Sequence, residues 1–210
     1  MKRSSESSVL TEHTFTSGLE YLYSRDPDLA WVLDRHGNPP FWQREPGFPT
    51  LVHIILEQQV SLASAQAAFD RLCRAVDRLN PSSFLALDDA TLRTIGFSRQ
   101  KTNYCRSLSL AILRGELDLL ELENMDDQTA RSELVKLKGI GPWTANIYLL
   151  MALRRPDIWP DTDLALVVAI QKLKTQNRRP DVDELRELSE PWRPWRAVAA
   201  RILWHYYLNS

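Results

Sequence analysis

Apolar residues recurring every three and four positions are the feature that most limits what this chain can fold into. Leu62, Ala65, Phe69, Leu72, Val76 and Leu79 follow one another at those steps, which lines them up on one face of a 3.6-residue helix. Ser61 stands where an N-cap belongs, and Asn80-Pro81 stops the run. The pattern repeats downstream. Asp88 caps a short helix ending at Gly96, and Ser98 caps another that turns Tyr104, Leu108, Ala111 and Ile112 inward, with Gly115 past its end. Further helices are expected over 127–136, 142–153, 163–173, 182–188 and 194–208. Residues 20–50 hold most of the turn signals: Pro27, Gly37, Pro39, Pro40, Pro46, Gly47 and Pro49. Alternating strand patterns are scarce, so the expected fold is all-α.

Length and charge narrow the function classes. A chain of 210 residues suits one compact domain or two lobes sharing a groove. A net charge of −1 argues against coating DNA along a whole surface. It leaves room for a local basic groove, because Arg99, Lys101 and Arg106, Lys136 and Lys138, and Arg154 and Arg155 stand in groups. No apolar run approaches the roughly 20 residues of a membrane span. The start, residues 1–8, reads as a frayed tail and not a secretory signal. Cys73 and Cys105 lie on apolar helical faces as buried thiols, and two thiols cannot hold a four-cysteine iron–sulfur cluster. His13, His36, His53 and His205 show no ligand spacing, so no metal site is expected.

The most informative stretch is Leu134-Val-Lys-Leu-Lys138-Gly139-Ile140-Gly141-Pro142-Trp143-Thr144-Ala-Asn146. A helix ends at Lys138, two glycines bracket one apolar residue, and Pro142 opens the next helix, where a first turn tolerates it. The glycines permit a tight turn and clear side chains from where a phosphate would approach. N–H groups at the following helix start then face outward as anion donors. Ile140 is expected to pack back between the two helices as an anchor.

This stretch resembles the hairpin of the helix-hairpin-helix (HhH-GPD) DNA glycosylases. Two further segments resemble the alkylpurine (AlkA-like, DNA-3-methyladenine glycosylase II) branch: Leu56-Glu-Gln58-Gln59-Val-Ser61, and Pro191-Trp-Arg-Pro-Trp-Arg196 leading to Trp204. The likeness runs from about Phe48 to Tyr206. It implies two helical lobes with the active site in the cleft between them, residues 1–47 forming a tail and helical segment packed on a core of 48–210. A compact form without an N-terminal β-rich lobe is expected.

The resemblance also assigns roles. After the hairpin comes Arg155-Pro-Asp-Ile-Trp-Pro-Asp161-Thr-Asp163-Leu-Ala-Leu166, and the family's catalytic acid falls on Asp163. Asp161 is the competitor, with helix capping as the plainer job for either aspartate. Trp143 and Trp204 match the aromatic walls of the base pocket, and Trp42 is a candidate lid. Read without the family, each tryptophan is more often core. Lys138, Gly139, Ile140, Gly141 and Thr144 form the DNA-binding hairpin. Gln59, with Gln58 beside it, matches the wedge that fills the space left by an extruded base. Ser98 reads as a cap, and Arg99 and Lys101 as phosphate-attracting.

Relatives that also nick the backbone place a lysine just after the turn; here that position is Trp143, and Lys138 lies before the turn. The implied activity is therefore monofunctional excision of alkylated purines from duplex DNA, in base excision repair and without lyase chemistry. No cofactor is implied beyond a monovalent cation that hairpin carbonyls of the family sometimes hold. The partner is double-stranded DNA carrying a damaged base, the expected state a monomer, and the location a bacterial cytoplasm or a nucleus. A non-catalytic hairpin DNA-binding protein and a glycosylase for deaminated bases are the alternatives.

Overall fold

The computed structural model describes residues 9–174 and 178–210; the tail reading of residues 1–8 falls outside them. Among the described residues the chain is all helix and turn, with no strand. The helices are α1 (Glu12–Arg25), α2 (Pro27–His36), α3 (Phe48–Glu57), α4 (Leu62–Ala75), α5 (Pro81–Leu85), α6 (Asp89–Ile95) and α7 (Arg99–Leu113). They continue with α8 (Glu121–Asn124), α9 (Asp127–Val135), α10 (Pro142–Met151), α11 (Leu164–Leu173), α12 (Val182–Ser189) and α13 (Arg196–Asn209).

Short polar side chains start most of these helices. The side chains of Ser61, Asp88, Ser98 and Asp163 each accept a backbone N–H three residues on, a contact worth about 1 kcal/mol. Asp26 does the same for Asp28 and Leu29, with Pro27 as the first helical residue. The proline read as a turn signal is thus a helix start, and residues 20–25 and 27–36 are helical. α4 ends at Ala75, short of Leu79. Leu62, expected in its apolar stripe, is 63% exposed, because it occupies the first turn, before the helix reaches the core. Cys73 is exposed and only Cys105 is buried; position 73 lies one residue past the stripe residue Leu72.

Two compact units form. Residues 44–148 make one. Its centre is α3, apolar nearly all round, with Leu51, Val52, Ile54 and Ile55 fully buried against α4 and α7. Residues 1–43 and 149–210 make the other, centred on α13. There Ala197, Val198, Ala199 and Ala200 are buried, and these small residues let α1, α2 and α11 approach closely.

Candidate active site and nucleic-acid interface

In the unit of residues 1–43 and 149–210, the loop from α10 to α11 is anchored along its length. Arg196 donates from Nε to Asp157 Oδ1 at 2.8 Å and from Nη2 to the Asp157 carbonyl at 2.9 Å. Trp159 is buried edge-on to Trp192, with ring centroids 5.4 Å apart. Arg186 Nε donates to Asp161 Oδ2 at 2.7 Å. The Asp163 N–H then closes on the Pro160 carbonyl at 2.9 Å. Arg193 Nη1 also donates to Asp157 Oδ2, at 2.5 Å, so Arg186, Arg193 and Arg196 are loop anchors. The repeated arginines of Pro191–Arg196 were the sequence signal for two of them; Arg186 had none.

The loop delivers Asp163 to the N-cap of α11, where the residue is only 8% exposed. Oδ1 accepts from the Leu166 backbone N–H and from Trp204 Nε1, both at 3.1 Å. Two donors fixed on different helices hold the carboxylate in one orientation. Capping, weighed in the sequence as the plainer role for Asp163, is a job the residue performs. Asp161 instead forms an ion pair with Arg186. An N-cap aspartate paired with a tryptophan also occurs at Asp26, whose Oδ2 accepts from Trp192 Nε1 at 2.8 Å. The pairing alone is thus an architectural device; what sets Asp163 apart is its loop and its neighbours.

Leu164, the next residue, is 61% exposed, an apolar side chain in solvent beside that carboxylate. Trp42 is half-buried on the extended segment 37–46, its ring 6.4 Å from that of His205. Its carbonyl accepts from Arg201 Nη2 at 2.9 Å. Arg201 is fully buried and also donates to the carbonyls of Ala197 and Leu150. Burial pulls its guanidinium down to about 10, still cationic at neutral pH.

The hairpin lies in the unit of residues 44–148, between α9 and α10. Gly139 adopts φ +95°, and a Cβ there would fall 2.1 Å from Cγ of Tyr104. It requires glycine for conformation and for space. Gly141 requires it for neither: its φ is ordinary and an added Cβ would meet nothing within 4 Å. Ile140 is buried under the turn, Lys138 is exposed, and Trp143 is half-buried in the first turn of α10.

Gln58 and Gln59 part company. Gln58 Nε2 donates to the Gly139 carbonyl and to Thr144 Oγ1, both at 2.9 Å, so it braces the hairpin from α3. Gln59 is exposed in a left-handed conformation, φ +57°. Ser98 caps α7, while the Lys101 ammonium donates to the Leu56 carbonyl at 2.6 Å, and burial lowers its pKa. The turn offers a cation only backbone oxygens. Those of Leu137 and Gly139 already accept one hydrogen bond each, leaving a donor set that fits a weakly held monovalent ion at most. No cluster of His, Cys, Asp or Glu able to hold a metal occurs among the described residues, and no helix there is long and apolar enough to cross a membrane.

Residues 52–194 match the family model of the HhH-GPD superfamily of base excision DNA repair proteins. The chain belongs to that superfamily. Among HhH-GPD relatives, a DNA-3-methyladenine glycosylase of Bacillus subtilis is 36% identical over 118 residues, covering 56% of this chain and 39% of its own length. YfjP of the same organism is 29% identical over 184 residues, and the chain spans 64% of its length. DNA-3-methyladenine glycosylase 1 of Schizosaccharomyces pombe is 27% identical over 192 residues, 90% of this chain and 83% of that protein. The structure of S. pombe Mag1 in complex with abasic DNA superposes with a TM-score of 0.84 at 25% identity, covering 90% of this chain and 95% of Mag1.

Proposed function

We propose that this HhH-GPD protein is a monofunctional DNA glycosylase that excises alkylated purines, 3-methyladenine in type, from duplex DNA. The observation that carries the reading is Asp163: a carboxylate nearly buried, oriented by two N–H donors, and delivered by an anchored loop one helix after a glycine hairpin.

In this reading Gly141 leaves the α10 N-terminus open to a phosphate, whose charge the helix dipole favours. The damaged nucleotide rotates out of the stack, at a cost of a few kcal/mol that damage lowers. Gln59 fills the gap, and Gln58 keeps the hairpin in register. The ring of Trp204 takes the flat, cationic base through its π face, with Trp42 covering it, and Trp143 offers a second aromatic face to such a base. The bond from C1′ to the base nitrogen then breaks and its electron pair leaves with the base, which departs neutral. Positive charge passes to the sugar, where Asp163 stabilises it. Water forms the new C1′–O bond and gives up a proton, with Asp163 as acceptor. No amine stands at position 143, so the sugar is released as an intact abasic site. Genomic DNA as substrate places the enzyme in a bacterial cytoplasm or a nucleus, acting as a monomer.

The test is release of free base from methylated duplex DNA by the wild type and Asp163→Asn. Asparagine keeps the cap and still accepts from Trp204, so DNA binding is expected to survive while base release falls about 10²- to 10⁴-fold. Unchanged release would sink the proposal. A non-catalytic hairpin binder releases nothing even as wild type, and a deaminated-base enzyme releases hypoxanthine or uracil in preference.

A further inference from the structure

On α13, Arg201, Trp204 and His205 stand at steps of three and one, so that all three share a face of the helix. They belong, with the extended residues 37–43, to the unit of residues 1–43 and 149–210. Trp204 donates to Asp163. The other two fasten the extended segment that follows α2. His205 Nε2 donates to the His36 carbonyl at 3.0 Å, where that segment begins. Arg201 donates to the Trp42 carbonyl, from Nη2 at 2.9 Å and from Nε at 3.3 Å. Between the two fastenings stand Pro39, which is buried, and Pro40, whose rings fix φ and remove two N–H donors.

Arg201 is a costly residue to place there. It is fully buried, and its hydrogen-bond partners among the described residues are all backbone carbonyls, those of Trp42, Ala197 and Leu150. Its guanidinium lies 5.4 Å from the ring centroid of Phe41 and 5.9 Å from that of Phe15. Among the described residues no carboxylate offsets its charge. Burying a cation without an anion carries a large desolvation penalty, which an apolar side chain of similar volume would avoid. An apolar side chain could not hold the Trp42 carbonyl, which lies outside any helix or strand and needs a donor. A planar guanidinium carried on a packed helix supplies that donor at a fixed place.

We propose that Arg201 is a positioning residue that fixes Trp42 as a standing wall of the base pocket, set before DNA binds, in place of a lid that closes over the base. This inference rests on the role given to Trp42 under the proposed function. The clamp grips the backbone of Trp42, so it holds whether or not the indole is present. The half-buried ring itself faces His205, the neighbour of Trp204, at 6.4 Å. A wall already in place needs no ordering when the base arrives. It contacts the base before and during bond breaking alike, so its loss should appear in KM more than in kcat.

Two measurements on the full chain test this. The indole N–H NMR signal of Trp42, assigned by its loss in Trp42→Phe, is expected to be sharp in the free wild type and broadened by exchange in Arg201→Met. Arg201→Lys keeps the charge but loses the fork. Its signal should fall between the two, and it carries the comparison if the methionine variant does not fold. The second measurement is a double-mutant cycle on base release from methylated duplex DNA. Arg201→Met should raise KM about tenfold with kcat within about threefold. In a Trp42→Ala background the same change should leave KM where it is, while the melting temperature falls equally in both backgrounds.

An indole signal unchanged in the Arg201 variants that fold overturns the proposal. KM effects that add across the cycle also overturn it, because a purely structural arginine acts without regard to the ring at position 42. If the wild type releases no base, the proposed function fails, and the indole signal alone still decides whether Arg201 holds Trp42 in place.

Discussion

Asp163 and Asp161 stand two residues apart and differ in what holds them. Oδ1 of Asp163 accepts from two neutral N–H donors, while Oδ2 of Asp161 accepts from a guanidinium. Asp161→Asn should therefore loosen the loop and lower the melting temperature while leaving base release within about tenfold; Asp163→Asn should do the opposite. Trp204→Phe keeps a ring but removes one donor from Asp163 Oδ1, and should slow release while substrate binding holds. Gln59 gives a sharper residue-level test. Its φ of +57° strains any side chain, so Gln59→Gly should stabilise the fold by about 1 kcal/mol. If its amide is the wedge, the same change should reduce base release. Gln58→Ala should instead cost about 1–2 kcal/mol, because it strips a donor from both Gly139 and Thr144.

At the scale of elements the hairpin sorts its two glycines. Gly139→Ala forces a Cβ into Tyr104 and should destabilise by more than about 2 kcal/mol in denaturant unfolding. Gly141→Ala should fold normally and weaken DNA binding alone. Both glycines were legible in the sequence, but their separate duties were not, since Tyr104 comes from a helix far away in the chain. Capped helices were read well: the boundaries of α6, α7, α11 and α13 came out within about two residues. α1 and α2 were hidden by Pro27, a residue that both breaks and begins helices. The anchors Arg186 and Arg201 left no local trace, because a charged side chain in a helix reads as solvated until its partners are known. On α3, burial against Phe69 lowers the His53 pKa. Unfolded chains then take up the proton first as pH falls below about 6.5. Stability should fall as pH drops through that range, and His53→Phe should flatten the loss.

For the molecule as a whole, a net charge of −1 fits the proposed enzyme if DNA is held at chosen points. Affinity for undamaged duplex should fall with salt at a slope no steeper than about −5, roughly five phosphates; a slope near −10 would indicate a binding surface far larger than the one described. The all-helical class was legible because periodicity is a local property. Which helices share a unit was not: residues 1–43 join 149–210, and no local pattern says which apolar stripe meets which.

The brace that Gln58 throws from α3 to the turn has a mechanical consequence. In the proposed reading the residue after it is the one offered to the base stack, so the probing tip and the strand-gripping turn belong to a single rigid jig. Wherever that jig seats, the tip enters the helix at one constant offset from the gripped phosphate. Such a protein can search by sliding, testing one base pair at each halt, with no separate part needed to choose which nucleotide to interrogate.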